Sequence, residues 1–582
     1  MITGSEGADG FLSKIAFANT EETGIEAYCD DRLSRGISDY SVSRGEAWLY
    51  LFVFILLAPL SGYPKDRAPA RVAEEVRQEA ALPNQGPVGR PLPLAGSWNT
   101  GAWRSGYGPD YQITMIEQGH FLLPWFQLDM PGGKGVNPTY YEKALKRCAE
   151  LKLPISFIST QWERLLSEDR NYLKLPAASN PNVVKADYGG ERMVSPFGPV
   201  QPWTDIGKKW TTSSIFRQVQ TWYPNPPRVV FVSNNEHAKL TWRDADQDRR
   251  YVASYGAKTS DEKKREAVGQ GWIKRYRALQ EGMRAGLLNS AWKQNSIFVG
   301  YNAFGGSAFG RWPGWRNYSL ATKNHIEPWP WPLAWDGASV PFYTHDWDSS
   351  TDYTVWSPLV GAMNWVFMLD EAYRLNPNYW FELSIWDGNQ PGKKSDKRAY
   401  YAKLGQTYTP ARYAGMVKFG MWLLRPRVVR EFRGPQQTMR ETGPYFLAIV
   451  GAVDDVHQNP ILKDFWRNGV LVPNRNVKHP YQDNIPPEYA GKDRWFLLDT
   501  NLDPKRPWKL TTEIPVFSIT LAKGMAPNKE WLVYAYSPLA NRSNVVLNIP
   551  EYGPIKVNCD PGGDYFVVKQ KGRSLEQLRT HG

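Results

Sequence analysis

Apolar positions along this chain follow two rhythms. From residue 96 to about 472, short uncharged runs rich in β-branched and aromatic residues alternate with longer stretches of helical spacing. The strand-like runs are His120–Asp129, Ile155–Ser159, Met193–Phe197, Arg228–Ser233, Ser296–Tyr301, Ala338–Asp346, Tyr379–Ile385 and Val428–Phe432, read as strands one to eight. Met193–Phe197 is the weakest of them, because Pro196 interrupts it. Helices are predicted over Tyr140–Leu151, Asp205–Trp222, Asp261–Leu287, Pro358–Arg374 and Pro410–Leu424, with Ser260 or Asp261 capping the third and Pro410 opening the last. Strand bodies that are apolar throughout belong to parallel sheets covered on both faces. Eight of them alternating with helices predict a (β/α)8 barrel.

After Pro473 the rhythm changes to short alternating runs, among them Val516–Leu521, Trp531–Tyr536, Asn544–Ile549, Ile555–Asn558 and Tyr565–Val568, separated by turns rich in Gly, Pro and Asn. This predicts a small antiparallel β-sandwich over 473–582. It would serve as a buttress on the barrel rather than as a carbohydrate-binding module, since no exposed aromatic row is evident. At the other end, Ala47–Leu60 is an apolar run preceded by Arg44 and followed by Ser61-Gly62. It is short for a membrane span and has the shape of a secretory signal. The expectation is a secreted or periplasmic protein with residues 1–62 as an extension and 63–95 as a Pro/Ala-rich linker holding a short helix over Ala70–Ala81.

The polar residues that interrupt these strands carry the candidate chemistry. Arg228-Val-Val-Phe-Val-Ser ends in Asn-Asn-Glu-His237, which puts Asn235, Glu236 and His237 past the carboxyl end of the fourth strand. Asn378-Tyr-Trp-Phe-Glu-Leu-Ser-Ile-Trp-Asp387 has one carboxylate, Glu382, in an aromatic strand seven. Active sites of such barrels lie at the carboxyl ends of the strands. Two carboxylates flanking one bond are what glycoside hydrolysis requires.

Asn-Glu at the end of strand four, with a second Glu on strand seven, resembles clan A of the glycoside hydrolases, over roughly Gly96 to Gly469. The resemblance implies a retaining β-glycosidase. Glu236 would be the acid/base, Glu382 the nucleophile, and Asn235 the partner of the sugar 2-hydroxyl. It also implies that Tyr343 or His345, at the end of strand six, hydrogen-bonds the nucleophile. Trp386 would floor the subsite at the cleaved bond. Trp125, Asp129, Trp162 and Arg192 would touch sugar, and His237 would tune the acid. Asp346, Asp348, Asp387 and Glu163 are rival carboxylates, Asp346 the strongest.

Composition narrows the partners. The chain holds 26 Trp, 31 Tyr and 23 Phe, with a net charge of +12. Trp312, Trp315, Trp329, Trp331 and Trp335, in an aromatic insertion, are expected to line a saccharide cleft. The basic residues are dispersed and no nucleic-acid motif accompanies them, so the positive field suits an anionic polysaccharide, such as an algal galactan, better than nucleic acid. Three Cys and seven His, without CxxC, HxH or HExxH, give no metal motif, and no cofactor is required. A catalytically inert barrel that binds glycans is the alternative; it would lack one carboxylate of the pair.

Overall fold

The computed structural model describes residues 69–98 (85 and 87 apart), 109–127, 139–159, 183–188, 191–233, 240–301, 303, 329–343, 366, 369–386, 409–432, 439–472, 496–498, 516–537 and 540–580. Its centre is an eight-stranded parallel barrel. In chain order the strands are β1 Leu94–Ser97, β2 Trp125–Gln127, β3 Ile155–Ser159, β4 Val229–Ser233, β5 Ser296–Gly300, β6 Gly337–Tyr343, β7 Trp380–Trp386 and β8 Val428–Glu431. Each pairs with its neighbour, and β1 pairs with β8, Leu94 opposite Val428. The ring closes between β1 and β2. There the Ala95 amide donates to Phe121, and the Leu123 amide donates to Ala95, both at 2.9 Å.

The predicted barrel is therefore present, with two corrections to its staves. The first strand is Leu94–Ser97, which straddles the end of the stretch read as linker, and the His120–Asp129 run supplies the second. Met193–Phe197 is not a stave: Glu191–Val194 forms an antiparallel hairpin with Val183–Tyr188. The two shifts cancel, so Arg228–Ser233 keeps fourth place. The linker reading also gives way ahead of β1. Helix α1, Pro69–Ala81, seats Val72, Ala73, Val76 and Ala80 in the main core, which makes it part of the barrel's wall.

Strand alternation explains the packing. Phe126, Phe157, Phe231 and Phe298, on four successive strands, face outward and touch in sequence, ring centroids 5.7, 5.8 and 5.2 Å apart. Phe216, Trp210 and Trp292 of the surrounding helices close over this ladder. Each buried ring contributes about 1.5–3 kcal/mol by leaving water. The long helix α2, Asp261–Gly286, is capped by Ser260, whose side chain accepts from the Lys263 amide. It meets the helix Gln201–Thr211 at unusually short range: a Cβ on Gly282 would lie 2.0 Å from the Thr204 carbonyl oxygen, and one on Gly207 2.3 Å from that of Leu279. Only glycine permits that approach.

Helix α3, Pro410–Leu424, starts at Pro410 as expected, with Thr409 as cap. It and the helices α4, Met439–Gln458, and α5, Pro460–Asn468, complete the barrel's outer wall and receive the C-terminal region. That region has two antiparallel sheets. One is built on β9 Phe517–Lys523, β10 Glu530–Tyr536, β13 Asp564–Lys569 and β14 Ser574–Leu578; the other is the pair β11 Arg542–Ile549 and β12 Gly553–Cys559. Trp531, Val533, Val545, Leu547, Val557 and Phe566 form the core of this sandwich. The first sheet begins earlier than Pro473, since Val470-Leu471 pairs with β9.

The sandwich turns aromatic residues toward the barrel. The Trp422 indole N–H donates to the Tyr565 hydroxyl at 2.8 Å, and the Tyr534 hydroxyl donates to the Gly415 carbonyl at 2.7 Å. Cys148 and Cys559 are buried and are not joined in a disulfide. Among the described residues no helix is long and apolar enough to cross a membrane, and Ala47–Leu60 lies outside them.

Candidate active site

All eight strands run the same way, so their carboxyl ends share one mouth. The last strand residues there are Ser97, Gln127, Ser159, Ser233, Gly300, Tyr343, Trp386 and Glu431. Glu236 follows Ser233 by three positions in sequence and Asp387 follows Trp386 directly. Asn235, Glu236, His237, Asp129, Trp162 and His345 lie outside the described residues, as do the rivals Glu163, Asp346, Asp348 and Asp387. Tyr343 is the last residue of β6, as expected, and stands in register with Trp386.

Glu382 is not at the mouth. It is the third of seven residues in β7, in register with Ser339 of β6 and with Val428, the first residue of β8. Its side chain is 0 % exposed. One carboxylate oxygen accepts from Arg430 Nε at 2.5 Å; the other accepts from Arg430 Nη2 at 3.1 Å and from the Trp380 indole N–H at 2.7 Å. Arg430 Nη1 lies 3.4 Å from the hydroxyl oxygen of Ser156 on β3. Strands three and eight can exchange such a contact only across the barrel's interior, so the ion pair of adjacent strands lies in the lumen and Arg430 reaches across it. Gly96 makes room for it: a Cβ there would meet Arg430 Nη1 at 3.2 Å.

This corrects the expected placement of the second carboxylate. The strand continues four residues beyond Glu382, and both carboxylate oxygens are occupied by N–H donors. A nucleophile needs an oxygen that a substrate carbon can reach; Glu382 presents none at the surface. A buried, bidentate Arg–carboxylate pair is a structural unit whose members each require the other. The interior around it is polar and small. The Ser339 and Ser384 hydroxyls, both fully buried, have no hydrogen-bond partner among the described residues.

The two tryptophans among the expected sugar contacts are also enclosed. Trp386 does end β7, but it is 1 % exposed and packs edge-on against Phe432 at 5.8 Å. Trp125 starts β2 instead of ending it, and sits against Phe446 of α4 at 5.6 Å. Trp331 and Trp335, read as cleft residues, are core residues, and Trp329 lies over Gly269 of α2. Much of the aromatic content thus fills the core: the ten largest fully buried side chains are all Trp.

Two residues at this end of the barrel escaped the sequence reading. Arg430 is the one cation of β8 and follows two buried valines, a pattern that signals a buried counter-charge. Glu431 is a carboxylate that ends β8. It is fully buried, and burial together with its charge pushes the Tyr111 phenol up to about 12.

No family model and no curated protein matches this chain. Among solved structures, an agarase is 10 % identical over 60 % of this chain and 48 % of its own, with a TM-score of 0.29. The endo-β-mannanase/endo-β-glucanase of Prevotella bryantii is 11 % identical over 68 % and 50 %, at 0.32. A family-36 α-galactosidase of Geobacillus stearothermophilus is 10 % identical over 88 % and 57 %, at 0.36. The chain spans about half the length of these structures. Likeness this slight carries no functional weight; the strand ends themselves do.

Proposed function

We propose that the protein is a glycoside hydrolase acting on a polysaccharide at the carboxyl-terminal mouth of the barrel. The observation that supports the reading is that the fourth and seventh strands, Val229–Ser233 and Trp380–Trp386, end at one shared mouth of a parallel barrel, and that in the sequence Glu236 and Asp387 come next after them. Glu236 acts as acid/base. The clan resemblance puts the second carboxylate at the end of strand seven, and with Glu382 committed to Arg430 that role falls to Asp387. Double displacement requires the two carboxyl groups to stand about 5–5.5 Å apart, whereas inversion requires about 6.5–9.5 Å. Asn235 holds the sugar 2-hydroxyl, with Tyr343, His345, His237, Asp129 and Trp162 around it. An anionic galactan suits the net charge of +12, and secretion suits the apolar run before the barrel.

The test is turnover of a panel of neutral and anionic polysaccharides, followed by the anomeric configuration of the first product. Retention supports the paired-carboxylate reading. Inversion keeps the pair but removes double displacement, since the second carboxylate then activates a water; absence of turnover across the panel removes the enzyme. A second reading has its own support: with Glu382 enclosed, the chain loses one carboxylate of the pair that set it apart from an inert glycan-binding barrel. Tight binding to a polysaccharide with no product formed would establish that one.

A further inference from the structure

The opposite end of the barrel, at the amino ends of the strands, collects arginines that lack counter-ions. Arg90 precedes β1, Arg425 and Arg427 precede β8, and Arg228 precedes β4. Arg90, Arg425 and Arg427 are each more than nine-tenths buried. Arg90 lies over the Tyr373 ring at 4.9 Å, and Arg427 over the Trp380 ring at 4.7 Å. Arg425 Nη1 donates to the carbonyls of Trp466 and Gly469, at 3.1 and 2.7 Å, and Arg427 Nη2 to that of Leu82 at 2.5 Å.

These are neutral acceptors. Among the described residues, none of the three arginines has a carboxylate in salt-bridge range. Of the acids that act on these arginines, Glu79 is taken by Arg467 and by the Leu92 amide, Asp336 pairs with Arg277 and Arg284, and Asp370, which attracts Arg425 from beyond ion-pair range, is exposed. The Nε and Nη1 groups of both Arg90 and Arg427 are buried without a partner, as is Nε of Arg228. The charges also feel one another: burial first, then Arg90, pushes Arg425 down to about 9, and burial, with Arg228 and Arg90, pushes Arg427 down to about 10.

A buried guanidinium with empty donors is costly, and several together are costlier. Guanidinium donors in different directions match an acceptor that carries several oxygens and more than one negative charge. We propose that the foot of the barrel is a binding site for a small inorganic oxyanion of the phosphate or sulfate class, held by Arg90 and Arg427 with Arg425 behind them. The site lies at the far end from the mouth and does not depend on what the mouth does.

The test uses the full chain and inorganic phosphate, with ionic strength held constant by sodium chloride. Thermal unfolding should shift upward by about 2 °C at phosphate several-fold above its Kd and go on rising with the logarithm of phosphate concentration, as binding linkage requires. Calorimetric titration of phosphate into the wild-type protein should give a saturable heat with a stoichiometry of one. Arg90→Gln and Arg427→Gln should abolish the phosphate-dependent shift and the saturable heat. Without phosphate, Arg90→Gln should unfold no lower than wild type, because it removes a repulsion.

Four results overturn the proposal. One is a phosphate-dependent shift of the same size in wild type and variants. Another is an Arg90→Gln deficit equal at every phosphate concentration, which marks a purely structural arginine. A third is the absence of binding heat in wild type. The last is saturation by chloride alone, which marks a halide site instead. If a variant does not fold, the wild-type calorimetry decides.

Discussion

Arg430 of β8 and Glu382 of β7 form an ion pair inside the barrel, 2.5 Å at its closest, and neither side chain reaches solvent. Its members come from adjacent strands yet are 48 residues apart in sequence. The pair links the strand that should supply a nucleophile to the strand that closes the ring.

Glu382→Gln should therefore fail as a fold before it fails as a catalyst. It leaves the Arg430 guanidinium buried without its counter-charge, at a cost of about 3–5 kcal/mol. The double replacement Glu382→Leu with Arg430→Met should recover much of that loss. Urea unfolding of the single and double variants measures both. A Glu382→Gln protein of undiminished stability but no activity would return Glu382 to the catalytic pair.

Glu236→Gln and Asp387→Asn should behave in the opposite way. Each should lower kcat on the responsive polysaccharide by about 10²–10⁴-fold, the range for a lost acid–base group, with the thermal midpoint unchanged. Asp346→Asn serves as the control. If it abolishes turnover while Asp387→Asn does not, the second carboxylate belongs to strand six.

Close helix contact gives a third expectation. Gly282→Ala would drive a methyl group into the Thr204 carbonyl, 2.0 Å from the position of its Cβ. The helices α2 and Gln201–Thr211 must then separate, at a cost of about 1–3 kcal/mol. Gly451→Ala, which meets nothing within 4 Å, should be neutral or stabilising by the same measurement.

The fourth concerns pH. Burial holds the Glu79 carboxyl above its ordinary value, although the Leu92 amide and Arg467 pull it down. The folded chain then keeps a proton on Glu79 at a pH where the unfolded chain has released it. That contribution to stability is complete below the unfolded value, about 4.3, and is lost as pH rises through the higher folded value. Glu79→Gln should flatten the fall in stability that begins as pH rises above about 4.3. A wild-type profile with the same slope as the variant would dismiss it.

Where the sequence reading succeeded and where it slipped has a common physical origin. Apolar β-branched bodies such as Val229–Val232 announce a strand because nothing else fits a surface covered on both sides. Leu94-Ala-Gly-Ser97 announces nothing: it is short, built of small residues, and preceded by Pro91 and Pro93. Its smallness is the point, since Gly96 must admit the Arg430 side chain. Glu382 was misplaced because a charge within a strand and a charge at its end look alike until the strand's last residue is known. Tryptophans in a Pro-rich setting look like loop residues, yet Trp331 and Trp335 turn inward to Tyr276 of α2. Of the catalytic candidates, the sequence offered the strand they follow, and for Glu236 that remains the basis of its role.

The stave formed by Leu94–Ser97 has one more consequence. It is the piece that joins β8 to β2, and its partners come from both extremes of the barrel's sequence. A chain synthesised from its amino terminus must hold this segment in waiting until Val428–Glu431 emerges. A version that starts downstream of Ser97 would have seven staves and two bare edges. Unpaired edges recruit strands from other molecules, so such a truncation should turn a self-contained ring into a seed for aggregation.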